Sequence, residues 1–214
     1  MPGQSEALKK ATFGMGCFWA CDALFGVVPG VTRTRVGYAG GTKPSPTYKN
    51  IGDHTEVVEI EYDPKTASFS QLLSLFWNNH EYGLTKKIKA QYASLILYHD
   101  DEQKIEAEKS LSEEQNKQGK NFTTQIKNFD RFYPAEDYHQ KYRLQLHTYL
   151  VQSLGIATAA DLHTPLSTRL NGYVAGAGTL DQFEQDPVCK QLNEKQYDYV
   201  KKCLVENQGT GLYC

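Results

Sequence analysis

Two hydrophobic periods alternate along the chain. Residues 10–16 (KATFGMG) read as a short buried strand ending in glycines. Residues 31–38 (VTRTRVGY) and 55–62 (TEVVEIEY) alternate with β-branched residues and also read as strands. Residues 17–28 (CFWACDALFGVV) place Phe18, Ala20, Cys21, Leu24, Phe25 and Val28 at helical spacing, and Pro29-Gly30 stops that helix. Ser68 fits an N-cap for a helix from Phe69 to about Asn79. A strongly apolar strand at 91–98, a charged amphipathic helix at 100–118, a strand at 122–128 and a helix at 135–150 follow. From residue 10 to 98 the order is β-α-β-β-α-β, the split βαβ order. The pattern predicts an α+β protein with a ferredoxin-like two-layer core, helices packed on a mixed or antiparallel sheet, and extra helices.

After residue 150 the pattern fades. LHTPLSTRLNGYVAGAGTLDQFEQ (162–185) has scattered glycines and little periodicity, which predicts a long irregular C-terminal extension over 151–214 wrapping a 1–150 unit, one domain overall. Asp186-Pro187 resembles a helix start. Val188, Leu192, Tyr199 and Cys203 would share one face of that helix, with Cys189 off it. The end, NQGTGLYC, predicts a mobile terminus.

Composition narrows the class. At 40% apolar and 22% charged residues, the 214-residue chain has globular composition. A formal net charge of −2 argues against nucleic-acid or membrane-surface binding. No apolar stretch is long enough to span a bilayer. The opening MPGQSEALKKATF lacks a basic-then-apolar signal, so a cytoplasmic or nuclear location is expected. Five cysteines, at 17, 21, 189, 203 and 214, are too few for a disulfide framework and odd in number, which points to free, metal-bound or catalytic thiols. No CxxC occurs and the histidines are scattered singly, which argues against zinc and predicts no bound metal.

Three segments could carry chemistry. In Gly14-Met15-Gly16-Cys17-Phe18-Trp19 a cysteine sits at a strand-to-helix junction, where unpaired N–H groups and the helix dipole favour a thiolate. A small buried residue packed under aromatics is the competing reading. The loop at 40–54 and the residues after it contain Tyr48, His54 and Glu56, a phenol, an imidazole and a carboxylate. A polar surface loop would look the same. Phe132-Tyr133-Pro134-Ala135-Glu136-Asp137-Tyr138-His139-Gln140 reads most simply as a helix start with acidic residues in its first turn.

In combination, GCFW, the GYAGG(x)₄PTY segment, the HxE that follows it and FYPAEDYHQKY resemble the A-type peptide methionine sulfoxide reductase family over about residues 10–145. The resemblance implies reduction of the S epimer of methionine sulfoxide, in oxidised proteins and as the free amino acid. It assigns Cys17 as nucleophile, Glu56 as general acid, and Tyr48 and Tyr92 as hydroxyl donors to the sulfoxide oxygen. Phe18, Trp19, Gly16 and His54 would contact substrate. Cys17 would pass through a sulfenic acid. Its mobile position favours Cys214 as the resolving thiol, with Cys203 as a recycling relay and Cys189 as a further candidate. Thioredoxin, or dithiothreitol in vitro, would be the reductant, with no bound cofactor and a monomeric enzyme. The family's N-D-x-G approach to the second tyrosine is absent, with Lys87 and Lys89 in those places, while Gln91-Tyr92 is kept. A thiol peroxidase and a non-catalytic domain that recognises oxidised methionine are the competing functions.

Overall fold

The computed structural model describes residues 7–79 and 84–210. Strand β1 (Lys9–Met15), helix α1 (Phe18–Gly26), strands β2 (Val31–Ala39) and β3 (Thr55–Tyr62), helix α2 (Phe69–Asn78) and strand β4 (Ser94–Tyr98) come first. Helix α3 (Asp101–Gln118) and the short strands β5 (Gln125–Asn128) and β6 (Phe132–Pro134) follow. The remainder is helical: α4 (Tyr142–Gln145), α5 (Thr148–Ser153), α6 (Ala159–Leu162), α7 (Pro165–Val174), α8 (Leu180–Gln185) and α9 (Glu194–Asn207). The strands form one six-stranded sheet in the order β5-β4-β1-β3-β2-β6. Among the described residues only the β4–β5 pair is parallel, so the sheet is mixed and the protein is α+β.

Strand alternation sorts the core. Ala11, Phe13 and Met15 of β1, Val58 and Ile60 of β3 and Ile96 of β4 face the helices and pack on Phe25, Leu72, Phe76 and Ala107. Val57, Leu95 and Leu97 point the other way, under Phe129 and Phe132 from the β5–β6 segment. Glu56 has the parity of Val58 and Ile60, so β3 delivers its carboxyl to the helix side, beside the start of α1. Ser68 and Gln71 close a reciprocal capping box at α2.

Three sequence expectations need correction. The strand expected at 91–98 starts at Ser94, because Ala90–Tyr92 form a single 3-10 turn. The helix expected at 135–150 is broken into a turn at Asp137–His139, α4 and α5. Gln140 is responsible: its amide accepts from Val36 N at 3.1 Å and donates to Val36 O at 2.8 Å and Ala135 O at 2.9 Å, which holds the backbone against β2. Lys141 then turns left-handed, at φ 49°.

The third correction is the extension. Between residues 151 and 210 it is helical with its own core of Leu170, Tyr173, Phe183, Val200 and Leu204, joined by Val27, Leu144 and Leu150. Helix α7 is buried from Ser167 through Val174, so it has no polar face and leaves no period in the sequence. It crosses α1 at backbone contact: a Cβ on Gly26 would lie 2.6 Å from Thr168 O, and one on Gly172 2.5 Å from Ala23 O. Arg169 donates to the carbonyls of Gly26 and Val28 at 2.7 Å and of Val31 at 2.9 Å, closing the C-terminal end of α1. Asp186 and Pro187 do not start a helix; Asp186 ends α8, and Asn193 caps α9 through a box with Gln196. Among the described residues no helix is long and apolar enough to cross a membrane.

Candidate active site

Cys17 is the N-cap of α1, with extended backbone at φ −64° and ψ 121°, where β1 hands over to the helix. Gly16 before it sits at φ +92°, a conformation that favours glycine, although a Cβ there would meet nothing within 4 Å. The close approach falls instead at Gly14, where a Cβ would lie 2.7 Å from Thr55 Cγ2 and 3.2 Å from Glu56 O. Cys17 is disulfide-bonded in this structure.

Glu56 is only 2% exposed. Its Oε2 accepts from the backbone N–H of Phe18, next to Cys17, at 3.2 Å, and its Oε1 accepts from Gln91 Nε2 at 2.7 Å. Burial raises its pKa, and the two donors oppose that only in part. The 3-10 turn that shortens β4 brings Gln91 and Tyr92 here, held where Thr55 Oγ1 donates to Ala90 O at 2.8 Å. Burial, the charge of Glu56 and the neighbouring Tyr48 hydroxyl raise the Tyr92 pKa, so it stays a donor. Cys17, Glu56, Tyr48 and Tyr92 are thus brought to one place. Lys87 and Lys89 are exposed.

An aromatic wall flanks this group. Trp19 stacks on Tyr142 at 3.8 Å between centroids and 9° between planes, and its Nε1 donates to His139 Nδ1 at 3.0 Å. His139 also meets Phe18 at 5.1 Å, Tyr48 at 4.6 Å and Tyr138 at 4.0 Å. Burial lowers the His139 pKa against the opposing charge of Glu136, so the ring is neutral with its proton on Nε2. Glu136 braces the wall, accepting from Tyr38 Oη at 2.7 Å and Tyr48 N at 3.0 Å. Sequence reasoning gave no role to His139, Tyr142, Glu136, Tyr38 or Gln91. All lie in segments quoted above: Tyr38 in GYAGG, Gln91 in QY and the rest in FYPAEDYHQKY.

His54 does not join the substrate-facing group. Its Nδ1 accepts from Gly41 N at 3.2 Å and its Nε2 donates to Lys43 O at 2.7 Å, so both nitrogens are used to fold the 40–54 loop. Cys21, Cys189 and Cys203 are free and buried. Burial raises all three thiols, Cys189 to about 12, which makes them poor nucleophiles as placed. Cys203 lies in the second core, 3.8 Å from His147 Nδ1. Cys214 and His80 lie outside the described residues. Among the described residues no group of three or more His, Cys, Asp or Glu side chains could hold a metal.

A family model for peptide methionine sulfoxide reductase matches residues 9–163. The chain belongs to that family. This reductase is 53% identical over 205 residues to a peptide methionine sulfoxide reductase of Drosophila melanogaster, covering 95% of this chain and 83% of that one. Its fold matches Mxr1 of Saccharomyces cerevisiae in reduced form with a TM-score of 0.59 at 28% identity, over 73% of this chain and 91% of the yeast chain. It also matches methionine sulfoxide reductase A of Corynebacterium diphtheriae, with a TM-score of 0.56 at 28% identity, over 69% and 78% of the two chains. The reductase is therefore an oxidoreductase acting on methionine sulfoxide.

Proposed function

We propose that the enzyme reduces the S epimer of methionine sulfoxide, in proteins and as the free amino acid, as a repair of oxidative damage. The Cys17 thiolate attacks the sulfoxide sulfur while Glu56 gives a proton to the oxygen. Tyr48 and Tyr92 donate hydrogen bonds to that oxygen as charge grows on it. The oxygen passes to Cys17 as a sulfenic acid, and methionine leaves with the two electrons of the thiolate. A second thiol then displaces the hydroxyl, forming a disulfide and water. Two electrons from the dithiol of thioredoxin, or of dithiothreitol in vitro, restore both thiols.

The observation that carries this reading is the buried Glu56 carboxyl, raised in pKa and bonded to the N–H next to Cys17. A thiol peroxidase needs no such acid and no apolar wall for a methyl group. We assign the second thiol to Cys214, supported by the burial of Cys21, Cys189 and Cys203, which leaves each of them a poor nucleophile as placed. A relay through Cys203 requires that thiol to leave its core, and it stands second to direct reduction of a Cys17–Cys214 bridge. The same reading makes 1–150 the catalytic unit of a cytoplasmic monomer, built on a ferredoxin-like frame of β4-β1-β3-β2, with 151–214 as its wrapping extension.

The test is a single turnover with excess methionine S-sulfoxide and no reductant, followed by disulfide mapping. One methionine per enzyme and a Cys17–Cys214 bridge are expected. A bridge from Cys17 to another cysteine would reassign the resolver, and intact thiols with no methionine would overturn the mechanism.

A further inference from the structure

Residues 139–142 form a strap whose two outer side chains belong to the wall and whose two inner ones are anchors. His139 and Tyr142 contact Trp19. Gln140 fixes the strap to β2. Lys141, fully buried, fixes it to α1: its Nζ donates to Asp22 Oδ1 at 3.0 Å, to Asp22 Oδ2 at 3.4 Å and to Thr34 O at 2.7 Å. Its backbone N–H adds a bond to Asp22 Oδ2 at 3.1 Å, and Thr34 Oγ1 donates to Asp22 Oδ1 at 2.6 Å. Asp22 lies on the same helix as Trp19, less than one turn further on.

The pair is out of proportion to any stabilising task. Two charges taken from water gain little net stability over apolar residues of the same shape. The bonds also hold Lys141 in a left-handed conformation, which persists only where its surroundings over-determine it. What they do fix is the distance between α1, which carries Cys17, Phe18 and Trp19, and the strap, which carries His139 and Tyr142.

We propose that Asp22 and Lys141 are positioning residues that set the spacing of the substrate wall. The proposal rests on that wall binding the methyl end of the substrate, as in the function proposed above. A loosened strap weakens substrate binding equally in ground and transition states, so KM rises while kcat holds.

Asp22→Asn or Lys141→Met alone leaves a buried charge unpaired and is expected to compromise folding. The informative protein is the double variant Asp22→Asn/Lys141→Met, in which both charges go together. It is made in a Trp77→Phe background so that Trp19 is the only indole. We expect a folded protein with KM for free methionine S-sulfoxide raised on the order of tenfold, the signature of lost uniform binding. Expected alongside are kcat and mass-mapped Cys17 alkylation within about twofold of the parent, and an altered Trp19 emission. A folded double variant with parental KM would overturn the proposal. A parallel fall in kcat and Cys17 alkylation would overturn it too, by showing a general scaffold role. Tyr142→Leu is the control on the wall: parental KM there overturns the wall reading and this proposal together, whereas raised KM there with parental KM in the double variant overturns this proposal alone.

Discussion

Glu56 combines burial with two hydrogen-bond donors, and the balance decides its chemistry. The donors favour the carboxylate, burial favours the acid, and burial wins. Glu56→Gln keeps an acceptor for Gln91 but has no proton to give. Its single-turnover reduction rate should fall by about 10² or more, while iodoacetamide reacts with Cys17 as before. An unchanged rate would remove the acid role. The raised pKa also makes a stability statement. In the window above the ordinary carboxyl value, folded protein holds a proton that the unfolded chain has released, so stability falls as pH rises through that window. Glu56→Gln does not titrate there. Its stability relative to wild type, by urea midpoint, should therefore rise with pH between mildly acidic and neutral buffer. Reading the HxE motif was enough to find this residue, because one carboxylate two positions into a strand is a local feature. Gln91 and His139 were on the page as letters, yet their roles depend on pairings across 35 and 120 residues that no spacing shows.

At the scale of elements, α1 is held at both ends by other parts of the chain. Glu56 meets the first N–H of the helix, and Arg169 takes the carbonyls at and beyond its last turn. Gly26 and Gly172 let α7 cross it at backbone contact. Gly172→Ala forces the helices apart and should cost about 1–3 kcal/mol, read as a lower urea midpoint with an unchanged slope. A midpoint equal to wild type would show that the crossing gives way without strain. Strands β2 and β3 were legible from their β-branched residues, α1 from its apolar spacing and the Pro29-Gly30 stop, and α2 from the single face it buries, which writes a period into the sequence. Helix α7, buried all round, writes none. The broken helix after Ala135 was misread for the opposite reason: 135–150 does carry a helical period, but Gln140 gains more from β2 than from helix backbone.

For the molecule as a whole, the proposed mechanism has the extension couple chemistry to recycling. The family match ends at residue 163, while the similarity to the Drosophila relative covers 95% of the chain and so runs on into the second core. The second core buries Cys189 and Cys203, and the face of α1 toward the sheet buries Cys21, so each of these thiols is fixed by packing. A resolving thiol has the opposite requirement, since it must reach Cys17 only after methionine has left. These demands separate the cysteines kinetically. Cys214→Ser should still release one methionine per enzyme and leave a Cys17 sulfenic acid that dimedone traps, while turnover driven by thioredoxin collapses. Cys203→Ser, which exchanges one small buried side chain for another, should keep that turnover within about twofold and reveal itself in the denaturation midpoint instead. If Cys203→Ser stalls thioredoxin-driven turnover but not the single-turnover burst, then α9 must open in each cycle to pass the disulfide outward. Hydrogen exchange at the backbone of α9 would then be faster in the Cys17-oxidised enzyme than in the reduced one.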